Sequence, residues 1–214
     1  IAQFKDLEVN LDFLQLDNIS STRVVNVGRD RFGDRFFSGF EAKSHSYFAD
    51  EALSKKSIEN QLPDLEKLFL ETKYLVTGTI LLSSPISAET IFFLLEKAKK
   101  FQVKIIIDLN WREVFWNNSN FPYETSKTER VNLIKKFLNH AHLLKLAKEE
   151  ATLFFAHENP KLISQEMSER PDVIITDGKN PVKWFINGFQ GTTETPASQK
   201  IVDTTGAGDA FLAG

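Results

Sequence analysis

The sequence predicts an α/β protein built on a mostly parallel sheet. Two continuous apolar runs, Val103–Leu109 and Asp172–Thr176, are typical of strands buried on both faces. Segments with helical spacing of apolar residues alternate with these and other short strands. Alternation of this kind indicates βα units and a parallel sheet. Because such sheets bind ligands at the carboxyl ends of their strands, the polar residues that follow each strand are the candidates for function.

The first forty residues are predicted to be strands. Thr22–Val27 is rich in strand formers, Gly28–Asp34 has the composition of a turn, and Arg35–Phe40 is expected to return as the second strand of a hairpin. Later strands are predicted at Tyr74–Gly78, Val103–Leu109, Leu143–Leu146, Asp172–Thr176, and, as an antiparallel pair, Val182–Asn187 and Gly191–Thr195. Helices are predicted at Ser87–Phe101, after a capping box of Ser126 and Glu129, at Lys148–Ala156, and from the turn Gly206–Gly208 onward.

Composition narrows the classes of function. The chain has 214 residues, of which 42% are hydrophobic and 26% charged, as in one ordinary globular domain. The net charge of -3 offers no basic excess for nucleic acid, so none is expected as a partner. There is no cysteine, which excludes a disulfide framework and a thiolate metal site and fits a reducing cytoplasm. No apolar run approaches a membrane span, so no membrane association is expected.

The most informative segment is Asp203–Asp209, where the short stretch Ile201–Asp203 leads into a loop that opens a helix. Two glycines separated by one small residue let the backbone approach a ligand closely, and a helix that starts there offers free N–H groups to an anion. Asp209, in the first helical turn, could take a proton from a hydroxyl that attacks a phosphate. The structural alternative, a carboxylate that only complements the helix dipole, stays open on this loop alone. The chain has no Walker A loop and lacks the third glycine of a dinucleotide-binding fingerprint.

Asp203–Gly214 (DTTGAGDAFLAG) resembles the second signature of the PfkB carbohydrate kinase family, also called the ribokinase-like family. Other segments resemble the family in the same order along the chain: Thr22–Phe40 with Phe48–Asp50, Asp108–Arg112 (DLNWR) with Trp116, Lys145–Glu150, and Thr176–Gly178. The first of these segments, Thr22–Phe40 with Phe48–Asp50, resembles the lid strands of fructokinase-like members. The resemblance implies a three-layer α/β/α fold with a mostly parallel sheet and a small β lid. Residues 1–40 would then hold part of the lid and its lead-in, and residues 41–214 a C-terminally incomplete catalytic core.

The resemblance also implies an ATP-dependent sugar kinase. Asp209 would be the general base, and the N–H groups of Gly206, Ala207 and Gly208 would stabilise the transferring phosphoryl group. Thr176, Gly178 and Thr205 would contact the nucleotide. Asn110 and Arg112, together with Asp209, would bind the sugar or lie near the phosphates.

Cofactors and partners follow from the same resemblance. Glu150 would hold Mg²⁺ through water, and Asp203 and Thr205 match positions that hold a monovalent cation such as K⁺ in some members. The expected partners are a small sugar and ATP, with a homodimer formed through the lid. Without the family, Asp108 and Asn110 would be interpreted as caps of the strand end and Arg112 as part of a surface ion pair. Glu150 would be interpreted as a carboxylate in the first turn of a helix.

The chain departs from the family pattern in a few places. Ala147 stands where many members have Asn or Ser, and Pro181 where a second glycine often follows the nucleotide-side turn. The chain starts at Ile1 and ends at Gly214, which suggests the middle portion of a longer kinase. A catalytically inactive relative with a structural or regulatory role, or an inactive fragment, is therefore the second hypothesis. Phosphorylation of a nucleoside is the third.

Overall fold

The computed structural model of the chain describes residues 2–29, 35–41, 48–116, 126–196 and 204–214. They divide into two units. The first contains the described residues of Ile1–Glu71, Leu81–Lys97 and Glu113–Glu124. The second contains those of Thr72–Ile80, Ala98–Arg112 and Thr125–Gly214.

A two-stranded antiparallel hairpin lies in the first unit. Its strands are β1 (Val24–Arg29) and β2 (Arg35–Glu41), which confirms the predicted hairpin. Gly28 and Arg29 belong to the β1 ladder, so the expectation that the turn begins at Gly28 was wrong. Pairing with β2 holds them extended despite their turn-like composition. The connection, residues 30–34, lies outside the described residues.

The helices of the first unit are α1 (Ala2–Asp6), α2 (Lys55–Glu59), α3 (Leu62–Glu71) and most of α4 (Pro85–Lys100). The expectation that the first forty residues are strands was wrong for α1, whose residues are mostly good helix formers. Helix α4 confirms the predicted helix over Ser87–Phe101. In α3, Leu65 and Phe69 are buried one helical turn apart. The helix has only ten residues and many of them are charged, so its apolar face is hard to recognise from the sequence.

Arg23, just before β1, is anchored by two carboxylates of the first unit. Its guanidinium lies 2.8 Å from Glu51 and 3.0 Å from Asp50, and it stacks 4.1 Å from the centre of the Phe48 ring. Both acids belong to the short 3₁₀ turn Ala49–Ala52. The approach to the hairpin is therefore fixed by a buried, charge-assisted network.

The second unit is built on one sheet of six described strands. They are β3 (Tyr74–Gly78), β4 (Lys104–Asp108), β5 (Leu143–Ala147), β6 (Asp172–Asp177), β7 (Asn180–Ile186) and β8 (Phe189–Thr193). The strands lie side by side in chain order. The pairs from β3 to β6 are parallel, and those from β6 to β8 are antiparallel. The mostly parallel sheet and the antiparallel pair are both confirmed.

The helices of the second unit include α5 (Lys127–Leu138), α6 (Lys148–Phe155), α7 (Pro160–Glu166) and α8 (Ala207–Ala213). The predicted capping box starts α5: the Ser126 N–H donates to Glu129 at 2.7 Å, and the Glu129 N–H donates to the Ser126 hydroxyl at 3.2 Å. Helix α7 was not predicted. It begins with an Asn159 cap and Pro160 in its first turn, which are typical of a helix start. Seven residues are too few to show a clear helical spacing of apolar residues, so these start signals had no periodicity to support them.

The central strands carry the core of the second unit. Their inward-facing side chains are at most 1% exposed: Ile105, Ile107, Leu144, Leu146, Val173 and Ile175. Parallel strands need cover on both faces, which explains the continuous apolar runs in the sequence. Within the described residues, no helix combines the length and apolar character needed to cross a lipid bilayer.

Shortening a core side chain of β5 should destabilise the protein far more than shortening an exposed leucine of α6. Leu144 is fully buried, and Leu144→Ala is expected to lower the free energy of unfolding by about 2–5 kcal/mol through lost burial and an unfilled cavity. Leu153 is 49% exposed, and Leu153→Ala is the matched control, with a loss within about 0.5 kcal/mol. Urea unfolding followed by tryptophan fluorescence measures both. Equal losses would contradict the placement of β5 in the core.

Candidate active site

Two buried charged side chains face each other at the carboxyl end of the sheet. Lys145 of β5 pairs in register with Asp108, the last residue of β4. The Lys145 Nζ lies 2.9 and 3.1 Å from the two carboxylate oxygens of Asp108. The residues are only 7% and 6% exposed. An unpaired charge at this depth would be very unfavourable, so each side chain requires the other.

The backbone around this pair is tightly packed. Gly78 lies opposite Asp108 in the β3–β4 ladder, and a Cβ on Gly78 would lie 3.1 Å from the Asp108 carbonyl oxygen. The Thr79 hydroxyl donates to the carbonyl of Leu109 at 2.6 Å, and the Leu109 N–H donates to the carbonyl of Lys145 at 2.9 Å. The ends of β3, β4 and β5 are therefore held together by short, direct contacts.

Glu150 ties the start of α6 to the segment that follows β4. Its carboxylate accepts the Ala147 N–H at 2.7 Å and the Trp111 N–H at 2.6 Å, and the residue is only 6% exposed. Burial raises the pKa of Glu150, and the nearby Asp108 carboxylate raises it too, whereas the two N–H donors and Arg112 act in the opposite direction. The acid at the predicted metal position is thus a buried carboxyl that is also part of the structure.

Asn110 and Arg112 flank Trp111 just after β4. Asn110 is exposed and has a φ of 38°, a left-handed backbone conformation that asparagine tolerates better than most residues. Arg112 donates to the carbonyl of Trp111 at 2.8 Å, and its guanidinium lies 3.9 Å from the Glu150 carboxylate. The structure thus brings Arg112 together with Glu150 at the carboxyl end of the sheet.

The predicted nucleotide-side turn follows β6. Thr176 lies opposite Ala147 in the β5–β6 ladder, and Gly178 has a φ of 55°. Between them, Asp177 accepts a hydrogen bond from Lys148 at 3.1 Å, which lowers the pKa of Asp177 and raises that of Lys148. The turn thus carries an ion pair to α6 that the sequence analysis did not identify.

The glycine-rich turn leads into α8. Gly206 caps the helix with a φ of 76°, which a residue with a side chain adopts only under strain. The Ala207 N–H donates to the carbonyl of Thr204 at 3.2 Å. Gly208 and Asp209 lie in the first turn of the helix, where backbone N–H groups have no carbonyl partner within the helix.

Asp209 and the turn residues Thr205 to Gly208 are all exposed. Asp203 lies outside the described residues, so its predicted role stays a prediction. The Lys145 ammonium lies close to this turn, since a Cβ added to Gly208 would lie 3.1 Å from the Lys145 Nζ. Sequence reasoning did not assign a function to Lys145, although a lysine in an otherwise apolar strand, in a segment that resembled the family, was the available signal.

The residues present fit a weakly held magnesium ion. Mg²⁺ usually keeps several waters and is bound through one or two carboxylates together with substrate phosphates. Each Glu150 oxygen already accepts one N–H and retains a second acceptor position that a water molecule could use. Among the described residues, no group of three or more acidic or histidine side chains could hold a metal by itself. Glu150 therefore suits a metal that is bound mainly by water and phosphate.

Comparison with known proteins decides the family. The model of the pfkB family carbohydrate kinases matches residues 1–214. This chain belongs to the pfkB family. Membership confirms the resemblance carried by the glycine-rich turn and the strand-end segments.

Among pfkB relatives, a fructokinase of Klebsiella pneumoniae is 28% identical over 213 residues, covering 97% of this chain and 62% of its own length. An ATP-dependent 6-phosphofructokinase of Thermoanaerobacterium thermosaccharolyticum is 28% identical over 153 residues, covering 67% of this chain and 45% of its own length. This chain thus spans less than two thirds of the length of either relative.

Solved structures confirm the ribokinase-like fold. A fructokinase of Xylella fastidiosa with bound ATP superposes with a TM-score of 0.78 at 24% identity, covering all of this chain and 61% of the other. A fructokinase double mutant of Vibrio cholerae, with bound fructose, ADP and potassium ion, has a TM-score of 0.76 at 22% identity, covering 99% of this chain and 62% of the other. These similarities establish the fold.

The buried carboxyl of Glu150 should make stability depend on pH. A raised pKa in the folded state means that its contribution is full below the ordinary glutamate pKa and is lost as pH rises through the raised value. Glu150→Gln does not titrate. The free energy of unfolding of the unsubstituted protein, relative to Glu150→Gln, should therefore fall between about pH 4 and pH 8.

Urea unfolding at both pH values measures this difference. Glu149→Gln, an exposed neighbour in α6, is the control, and its difference from the unsubstituted protein should change little. If the unsubstituted protein instead became more stable relative to Glu150→Gln as pH rises, the direction of the pKa shift would be contradicted.

Proposed function

We propose that the protein transfers the γ-phosphate of ATP to a hydroxyl group of a sugar. The observation that carries this proposal is an exposed carboxylate, Asp209, in the first turn of a helix that opens on a glycine turn, within a chain of the pfkB carbohydrate kinase family. Retention of Asp209 and both glycines gives no support to an inactive relative. Because the chain spans only part of its relatives, the activity is proposed for the protein that contains this chain.

Asp209 is proposed as the general base. Its carboxylate accepts the proton of the sugar hydroxyl as that oxygen attacks the γ-phosphorus, and the bond to the ADP oxygen breaks. The backbone N–H groups of Gly206, Ala207 and Gly208 are proposed to donate to the oxygens of the transferring group. The Ala207 N–H already donates to Thr204 at 3.2 Å, so the larger share is assigned to Gly208. Positioning and fixed dipoles supply most of the catalysis in this kind of reaction.

The nucleotide is proposed to lie against the turn after β6, with Thr176, Gly178 and Thr205 as its contacts. Mg²⁺, when bound, neutralises charge on the phosphates, and Glu150 is proposed to hold it through water. The Vibrio cholerae fructokinase structure contains a potassium ion, and the same ion is proposed here for Asp203 and Thr205.

Fructose is the proposed acceptor, because fructokinases occur among both the sequence relatives and the superposed structures. Asn110 and Arg112 are proposed to contact the sugar or the phosphates. The Arg112 guanidinium lies 3.9 Å from the Glu150 carboxylate, beside the residue proposed to hold Mg²⁺, which supports a place near the phosphates. The β1–β2 hairpin as a lid, and a homodimer through it, stay predictions.

Replacing the proposed base should abolish turnover but preserve nucleotide binding. Asp209→Asn keeps the size of the side chain but cannot accept the proton, so kcat with ATP and fructose should fall by about 10²–10⁴-fold. A coupled ADP-release assay measures turnover, and titration calorimetry should give an ATP affinity within about twofold of the unsubstituted value.

Glu194→Gln removes an exposed carboxylate from the segment after β8 and is the control. Its kcat should match that of the unsubstituted protein. Near-normal turnover by Asp209→Asn would refute the assignment of the base.

A further inference from the structure

Gly208 lies at a position where backbone conformation does not require glycine. It lies inside α8, and its φ is not positive, unlike that of Gly206 at 76°. Alanine is a much better helix former, so local propensity alone would favour alanine at this position. The reason for a glycine must therefore be space.

The space is taken by one atom. A Cβ on Gly208 would lie 3.1 Å from the Lys145 Nζ, and nothing else outside the neighbouring backbone lies within 4 Å of it among the described residues. The end of a lysine side chain usually gives way easily. Here it is buried and held by both oxygens of Asp108 at 2.9 and 3.1 Å, so moving it would break a buried ion pair.

Neither a gain in stability nor attraction to the helix end explains why a lysine ammonium is buried beside the start of α8. Buried ion pairs often contribute no more to stability than apolar residues of similar size. A cation at the N-terminal end of a helix is also electrostatically unfavourable, and Asp108 cancels that repulsion. What the arrangement does supply is a fixed distance between β5 and the backbone at the start of α8.

We propose that Lys145, held by Asp108, is a positioning residue for phosphoryl transfer. Its ammonium sets where the Gly208 backbone lies, and thereby places the Gly208 N–H and the adjacent Asp209 carboxylate. The inference rests on the proposed function, because those two groups are the proposed charge-stabilising donor and base. A small displacement of such groups can lower a rate by about 10²-fold even when binding is intact.

A mutant cycle tests the contact. Asp108→Asn combined with Lys145→Met replaces the ion pair with a neutral pair, and methionine ends one atom earlier, so the atom that a Gly208 Cβ would meet is removed. Gly208→Ala is then introduced into the unsubstituted protein and into this background. Gly214→Ala, at the C-cap of the same helix, is the matched control, because its Cβ would make an ordinary contact at 3.6 Å.

The inference predicts strong coupling in kcat. In the unsubstituted protein, Gly208→Ala should lower kcat by about 10²-fold, with KM for ATP and fructose within about twofold. The neutral-pair variant should itself have a lowered kcat. Adding Gly208→Ala to it should lower kcat by less than about a further fivefold. Gly214→Ala should leave kcat nearly unchanged in both backgrounds.

The outcomes separate the two claims. Equal losses from Gly208→Ala in both backgrounds would overturn the role of Lys145 and leave the proposed function standing. No transfer to fructose by the unsubstituted protein would overturn the proposed function, and the inference with it. Lys145→Gln, which is shorter but can still donate to Asp108, is a second background if the neutral pair fails to fold, and the same weakened effect of Gly208→Ala is expected there.

Discussion

The buried ammonium of Lys145 pairs with the Asp108 carboxylate and occupies the position that a side chain at Gly208 would need. Its charge is tolerated in the sheet only because Asp108 lies opposite it in the parallel ladder. The position of α8 against the sheet is therefore coupled to the register of β4 and β5. A shift of one residue in that register would move Asp108 to the other face and leave the Lys145 charge unpaired beside the start of α8.

Glu150 provides a second constraint at the same end of the sheet. It caps α6 through Ala147 and holds the segment after β4 through Trp111, so one carboxyl fixes two chain segments. The residue is also the one proposed to hold Mg²⁺ through water. A buried carboxyl whose pKa is raised is unfavourable when ionised, and a nearby divalent cation would favour the ionised form. The Glu150 carboxyl is therefore needed both for the local structure and for the proposed chemistry, and it acts at the same end of the sheet as the Lys145–Asp108 pair.

Local signals were sufficient for most of the fold. The capping box of Ser126 and Glu129 and the apolar runs of β4 and β6 depend on neighbouring residues, and all of them were found in the sequence. The pairing of Lys145 with Asp108 joins residues 37 positions apart, and only the strand register reveals it. A lysine in the strand sequence LLKLA has the pattern of an outward-facing residue. The roles proposed for Asp209 and Glu150 rest on the family resemblance, because a carboxylate in a first helical turn has an equally good structural explanation.

Phosphorus NMR of a reaction mixture containing the protein, ATP, Mg²⁺ and fructose identifies the acceptor of the phosphoryl group. If that acceptor is the sugar, ADP and a sugar phosphate monoester should accumulate in equal amounts. Parallel mixtures with fructose 6-phosphate or adenosine in place of fructose should react much more slowly. ADP accompanied only by inorganic phosphate, or a monoester that forms efficiently only with adenosine, would contradict the proposed transfer to a sugar.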